Sequence, residues 1–156
     1  MASVLIVDDD ESFATALGRI VKELGHVSER AVDGQDGLAK FNEGDYDLVI
    51  ADLKMPRMTG VEFIRELKRI NKDVVVMVVT GYSDLTSAVE TLTLGAYDYI
   101  EKPVSVERFR AALERGLEKR QLVAQLNFSK GMIWMIVLSI PLWMILGIVL
   151  SYLLKR

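Results

Sequence analysis

Four short apolar runs, each leading into a polar residue able to do chemistry, constrain this chain more than any other feature. Val4-Leu5-Ile6-Val7 ends in the acidic trio Asp8-Asp9-Asp10, and Leu48-Val49-Ile50-Ala51 ends in Asp52. Val74 to Val79 ends in Thr80, and Tyr97-Asp98-Tyr99-Ile100 leads to Lys102-Pro103. Runs this short and this apolar suit strands covered on both faces of a parallel sheet. If the runs are parallel, their polar ends lie along one sheet edge, where open α/β sheets bind ligands.

The segments between the runs read as helices. Over residues 11–25, Phe13, Leu17, Ile20, Val21 and Leu24 share one helical face, and Gly25 follows as a stop. A strand is expected at 27–31 and a helix at 35–43, followed by strand 48–52. Met55 to Thr59 reads as a loop, because Pro56 disfavours helix at Met55. Gly60 opens a helix over 60–71 that buries Val61, Ile64 and Leu67. Strand 74–80, helix 85–94, strand 97–101 and a helix from Ser105 complete the series, the last with Val106, Phe109, Leu113 and Leu117 as its docking stripe. Five such βα units imply a doubly wound, five-stranded parallel sheet with right-handed crossovers and helices on both faces.

The chain has no cysteine, which excludes disulfides and thiolate metal sites. All 22 acidic residues precede position 130, together with 16 of the 19 basic ones. Residues 1–129 are therefore net −6 and the last 27 residues net +3. An acidic front part argues against nonspecific nucleic-acid binding, which requires a basic surface to displace counterions. The N-terminus lacks a basic segment and its apolar run stops at Asp8, so it does not read as a secretory signal. His26, the single histidine, reads as a surface turn residue.

Residues 119–130 read as a helical spacer, with Leu122, Val123 and Leu126 apolar. That stripe is too short to specify a coiled coil, and pairing between two copies stays open. From Met132 to Leu154 there are 23 residues without a charge. A helix of that length reaches roughly 34 Å, enough to cross a hydrocarbon core of about 30 Å. Trp134 and Tyr152 fall near its two ends, where an aromatic belt is expected. Pro141 is tolerated in such a helix, and Gly147-x-x-x-Ser151 is too weak a signal to assign helix pairing. A transmembrane helix over 131–154 is expected. Arg115, Lys119, Arg120 and Lys130 precede it and only Lys155 and Arg156 follow, which places the N-terminal side in the cytoplasm.

The dispersed set Asp8-Asp9, Asp52, Thr80 and Lys102-Pro103, in this order and spacing, resembles the receiver domain of bacterial response regulators, over about residues 3–118. Singly, Asp52 could cap a strand, Lys102 could be a surface charge and Thr80 is a common β residue; only their joint spacing is specific. The resemblance implies a flavodoxin-like strand order 2-1-3-4-5. It also implies Mg²⁺ held by Asp9, Asp52 and the backbone carbonyl of Lys54, with Asp8 binding directly or through water. Oxygen-only donors favour such a hard cation independently. The resemblance further implies phosphoryl transfer from a phosphohistidine to Asp52, with Lys102 pairing a phosphoryl oxygen, Thr80 bonding the new group and Tyr99 changing rotamer as a switch. The partner would be a histidine kinase or phosphotransfer protein, and Lys102-Pro103 is a candidate cis bond.

Asp10 matches no functional position of the family and is expected to be solvated at the start of the first helix. Lys54 and Tyr82 would flank the pocket mouth and tune the phosphoryl lifetime. The expected protein is a membrane-tethered, single-domain response regulator at the inner or plasma membrane, signalling by contact with a downstream protein. It would be a phosphoryl acceptor with self-dephosphorylation at most and no conventional enzyme. A phosphorylation-independent scaffold and a phosphate sink without output remain as alternatives.

Overall fold

Each apolar run of the front part forms a strand, and a helix follows each one. The computed structural model describes residues 1–81 and 85–154, without the side chains at positions 128, 130, 131, 133, 134, 142, 144 and 146–154. The elements are β1 (Ser3–Val7), α1 (Glu11–Glu23), β2 (Val27–Ala31), α2 (Gly34–Glu43), β3 (Leu48–Ala51), α3 (Gly60–Ile70), β4 (Val75–Thr80), α4 (Leu85–Thr93), β5 (Asp98–Glu101) and α5 (Val106–Leu154). The strands are all parallel in the order β2-β1-β3-β4-β5. The chain divides into two compact units, Met1–Arg120 and Gln121–Arg156.

The register explains how residues far apart in sequence meet. Val7 pairs with Ala51, so Asp8 and Asp52 leave the sheet side by side. Thr80 pairs with Glu101, one residue before Lys102. Backbone bonds carry the ladder past the strand ends: the Asp52 N–H donates to the Val7 carbonyl at 3.0 Å and the Lys102 N–H to the Thr80 carbonyl at 2.8 Å.

Strand alternation divides the core in two. Val4, Ile6, Ile50, Met77 and Ile100 point to the layer of α1 and α5, where they meet Leu17, Val21, Phe109 and Leu113. Leu5, Val7, Val49, Val76 and Val78 point to the opposite layer, where Phe63, Ile64 and Leu67 of α3 cover them. Each such buried side chain contributes about 1.5–3 kcal/mol relative to exposure. β3 and β4 are buried at every residue, as strands sheltered on both faces must be.

Two helix faces differ from expectation. On α3 the fully buried aromatic is Phe63, beside Ile64 and Leu67, whereas Val61 is only half-buried. On α5 the buried stripe is Phe109, Ala112, Leu113 and Leu117; Val106 is 46% exposed because it opens the helix, one turn before the stripe meets the core. α1 ends as expected at Gly25, whose φ of +80° suits glycine. There the His26 N–H bonds the Val21 carbonyl and the Gly25 N–H the Lys22 carbonyl, a Schellman closure.

In the second unit the backbone is helical to Leu154, with Pro141 inside the helix. Among the described residues no helix is long and apolar enough to cross a membrane. The end markers Trp134 and Tyr152, and the Gly147/Ser151 pair, lie outside the described side chains.

Candidate functional site

Asp52 stands one residue past β3 and is nearly buried, at 8% exposure. Its Oδ1 accepts the Thr80 hydroxyl at 2.6 Å and the Lys54 N–H at 3.1 Å, and its Oδ2 accepts the Lys102 ammonium at 2.8 Å. Asp8, one residue past β1, accepts the same ammonium on Oδ2 at 2.7 Å and the Asp10 N–H on Oδ1 at 2.8 Å. Asp9 is exposed, yet one oxygen from each of Asp8, Asp9 and Asp52 lies within 4.8 Å of the others. A cavity of about 370 Å³ opens here, lined by Asp9, Asp10, Asp52, Lys54, Thr80, Gly81 and Lys102.

The loop that carries Lys54 turns back on Asp52 because residue 60 has no side chain. A Cβ there would lie 2.2 Å from the Asp52 carbonyl oxygen, and the Gly60 N–H instead bonds the Leu53 carbonyl at 2.9 Å. Thr59 then starts α3 with a reciprocal capping box: its hydroxyl accepts from the Glu62 N–H and the Glu62 carboxylate accepts from the Thr59 N–H. The Lys102-Pro103 bond is cis.

Burial pushes the Asp8 carboxyl above its ordinary range, against the pull of hydrogen bonds from Lys102 and the Asp10 N–H. Burial works in the opposite sense on Lys102, lowering it, but the hydrogen bonds to Asp52 and Asp8 outweigh that and hold the ammonium above its ordinary value. The donors here are all hard carboxylate oxygens, one of them on the open side where waters can complete a shell. That set fits Mg²⁺.

Among the residues singled out in the sequence, Asp8, Asp9, Asp52, Lys54, Thr80 and Lys102 come together. Tyr99 does not: it is half-buried against the apolar layer under α3. Tyr82 lies outside the described residues. Asp10 is exposed and caps α1, its carboxylate accepting the Phe13 N–H. His26 is half-buried and accepts the Ala2 N–H at 3.3 Å.

Three residues escaped the sequence reading. The Phe13 ring, expected only as core, lies 4.0 Å from the Lys102 ammonium, a cation–π contact. Asp33 is 1% exposed and pairs with Arg57, whose φ is +65°. Asp33-Gly34 ahead of a helical pattern is an N-cap signal that could have marked the first of these two.

Residues 4–114 match the response regulator receiver domain family. The chain belongs to that family. Such receiver domains accept a phosphoryl group on an aspartate in two-component signalling, typically with Mg²⁺ at an acidic pocket, and interact with histidine kinases or phosphotransfer proteins and with downstream effectors.

The chain is 36% identical over 114 residues to the transcriptional regulatory protein ZraR of Salmonella typhimurium, covering 73% of this chain and 26% of ZraR. It is 38% identical over 120 residues to the sensory transduction protein RegX3 of Mycobacterium bovis, covering 74% and 52%. The chain thus spans about a quarter to a half of these relatives. A CheY-like receiver domain protein from Methanospirillum hungatei superposes with a TM-score of 0.75 at 30% identity, covering 78% of this chain and 97% of the other. The receiver domain of NtrX from Brucella abortus does so at 0.71 and 31%, covering 74% and 98%.

Proposed function

We propose that Asp52 is the phosphoryl acceptor of a membrane-tethered response regulator, supplied by a histidine kinase or phosphotransfer protein. The observation that carries this is the convergence of the Asp8, Asp9 and Asp52 oxygens within 4.8 Å, with the Lys102 ammonium 2.8 Å from Asp52. A carboxylate oxygen of Asp52 attacks the phosphorus. The P–N bond to the donor histidine breaks as the new P–O bond forms, and the imidazole nitrogen keeps the electron pair and takes a proton.

Asp8, Asp9, Asp52 and the Lys54 carbonyl would hold Mg²⁺, which supplies charge neutralisation for the phosphoryl oxygens. Lys102 pairs with one of those oxygens, and Thr80, already 2.6 Å from Asp52, donates to another. Tyr99 then repacks, altering the surface of α4, β5 and α5 as the signal to a downstream protein.

The tether reading assigns 1–118 to the receiver, 119–130 to a spacer and 131–154 to a single membrane span, with the receiver on the cytoplasmic side. The uncharged run Met132–Leu154 supports it. So do the exposed side chains Met135, Ile136, Leu138, Trp143 and Ile145, an apolar surface that water does not favour. The transcriptional role named for ZraR is not carried over, because this chain covers only 26% of that protein.

The test is acetyl phosphate with Mg²⁺ on the full chain in detergent. The expected result is addition of one phosphoryl group, lost in Asp52→Asn and on chelation. No addition to the folded wild type would overturn the acceptor reading. Release of the chain from membranes by high salt alone would overturn the tether.

A further inference from the structure

We propose that the Asp33–Arg57 pair is a positioning device for the acceptor site, which clamps the loop after Asp52 onto the start of α2. The inference rests on the reading of Asp52 as acceptor. Arg57 is the one described non-glycine residue with positive φ, at +65°. An L-residue held there is strained, and it persists only when its surroundings over-determine it.

A buried carboxylate holds Arg57 in place. Its guanidinium pairs with the Asp33 carboxylate, 1% exposed. The other oxygen of that carboxylate accepts the Gln35 and Asp36 N–H groups at 2.9 and 3.0 Å, capping α2. One buried carboxylate thus serves a helix start and a loop apex together. The next residue repeats the contact: Met58 packs so closely on Gly34 that a Cβ there would lie 2.8 Å from its Cγ.

The clamp completes a frame around Asp52. The base of the loop is pinned by Gly60 against Leu53 and Asp52, and its buried side chains are Leu53 and Met55. Between them, Lys54 points its N–H at Asp52 Oδ1 at 3.1 Å. The segment ahead of α2 also fixes the first acid, since the Ala31 carbonyl accepts the Asp8 N–H at 3.1 Å. Asp33 therefore ties the loop bearing Lys54 to the same segment that holds Asp8. Without the tie, the apex has no charged anchor, and the Lys54 amide loses its fixed aim.

The variants are chosen so that folding and positioning separate. Arg57→Gly relieves the backbone strain and deletes the tie. Asp33→Asn with Arg57→Gly removes both charges and keeps an oxygen for the α2 cap. Arg57→Lys keeps a cation at the same place. The full chain in detergent is tested by hydrogen exchange of the 53–59 peptide and by the rate of labelling with acetyl phosphate and Mg²⁺.

Both tie-deleting chains should exchange faster in that peptide and label about five- to tenfold more slowly, a modest part of what misplacement near a reacting centre can cost. Arg57→Lys should stay near wild type in both. A folded double variant with wild-type exchange and wild-type labelling overturns the proposal. So does wild-type protein whose 57–58 amides exchange as fast as that of the exposed Asp45, just past the end of α2, a comparison that needs no variant to fold. If wild type takes no phosphoryl group at all, the acceptor reading fails, while the exchange data still decide the clamp.

Discussion

Replacing Gly60 by alanine tests the link between backbone packing and the acceptor. The added Cβ would stand 2.2 Å from the Asp52 carbonyl oxygen and 2.6 Å from the Leu53 Cα, both backbone atoms. Reaching ordinary contact requires an opening of about 1.2 Å, and overpacking of this kind costs about 1–3 kcal/mol, at the upper end when no side chain can rotate away. The stiffer unfolded chain offsets about 0.4–1 kcal/mol. The net destabilisation expected is about 2 kcal/mol, a fall in Tm of roughly 6–12 °C for a unit of this size.

Thermal unfolding followed by near-ultraviolet circular dichroism reads the loss, and acetyl phosphate labelling should slow because the displaced atoms are those of Asp52 itself. Gly81→Ala is the control: it also lines the site, but among the described residues its new Cβ would meet nothing nearer than 4.0 Å. Its stability should equal wild type or exceed it slightly. A Gly60→Ala chain as stable as the Gly81→Ala chain would refute the packing argument.

Mg²⁺ should raise the Tm, since a ligand at a hundred times its Kd stabilises by about 2.7 kcal/mol; Asp9→Asn should shrink the shift, and a wild-type Tm indifferent to Mg²⁺ would count against the metal site. Tyr46 is pushed up from 10.0 to about 12, first by burial and then by its hydrogen bond to Glu29. Its folded value exceeds its unfolded one, so its contribution to stability is whole below the unfolded value and fades as pH rises toward the folded one. Ultraviolet titration should show a late component that is missing from Tyr46→Phe; its absence from wild type would contradict the contact. Glu62 is lowered by its bonds from the Thr59 N–H and hydroxyl. The capping box should therefore stabilise above the ordinary glutamate range and be lost as pH falls through the depressed value, and Thr59→Ala should flatten that part of the pH–stability curve.

The central strands β1, β3 and β4 were legible because each is an apolar run that ends in a side chain that breaks it, whereas the edge strands β2 and β5 mix polar with apolar residues and carry a weaker signal. Asp8, Asp52, Thr80 and Lys102 meet for that same reason: parallel strands in register bring like ends together. The helices were legible in position and less so in facing. On α3, Phe63 and Ile64 are neighbours in sequence and both buried, because the helix sits in a wide apolar layer that accepts more than one i, i+3, i+4 row. The frame around the site was hidden for a different reason. Asp33 and Arg57 are 24 positions apart, each ordinary for a loop, and only the fold shows that one is buried and the other bent to reach it. Phe13 likewise fits a core stripe in sequence, and its second contact with Lys102 depends on where β5 ends.

The charge balance of the site connects these parts. Three carboxylates face one ammonium, a formal excess of two negative charges, which is the charge a divalent cation neutralises. Burial already weighs on the Asp8 carboxyl, so the pocket favours whatever supplies positive charge. A phosphoryl group brings further negative oxygens to Asp52, where Lys102 is shared between two acids and the Thr80 hydroxyl is committed to Oδ1. Both donors must be redistributed when that group arrives. Thr80 is fully buried at the end of β4, where its carbonyl accepts the N–H of Lys102 just past β5, and it stands two residues beyond Val78, the ladder partner of Tyr99. If Asp52 is phosphorylated as proposed, the Thr80 hydroxyl shifts from Asp52 Oδ1 to the new group beside the end of β5, so the acceptor chemistry and the proposed Tyr99 output share that short stretch of chain.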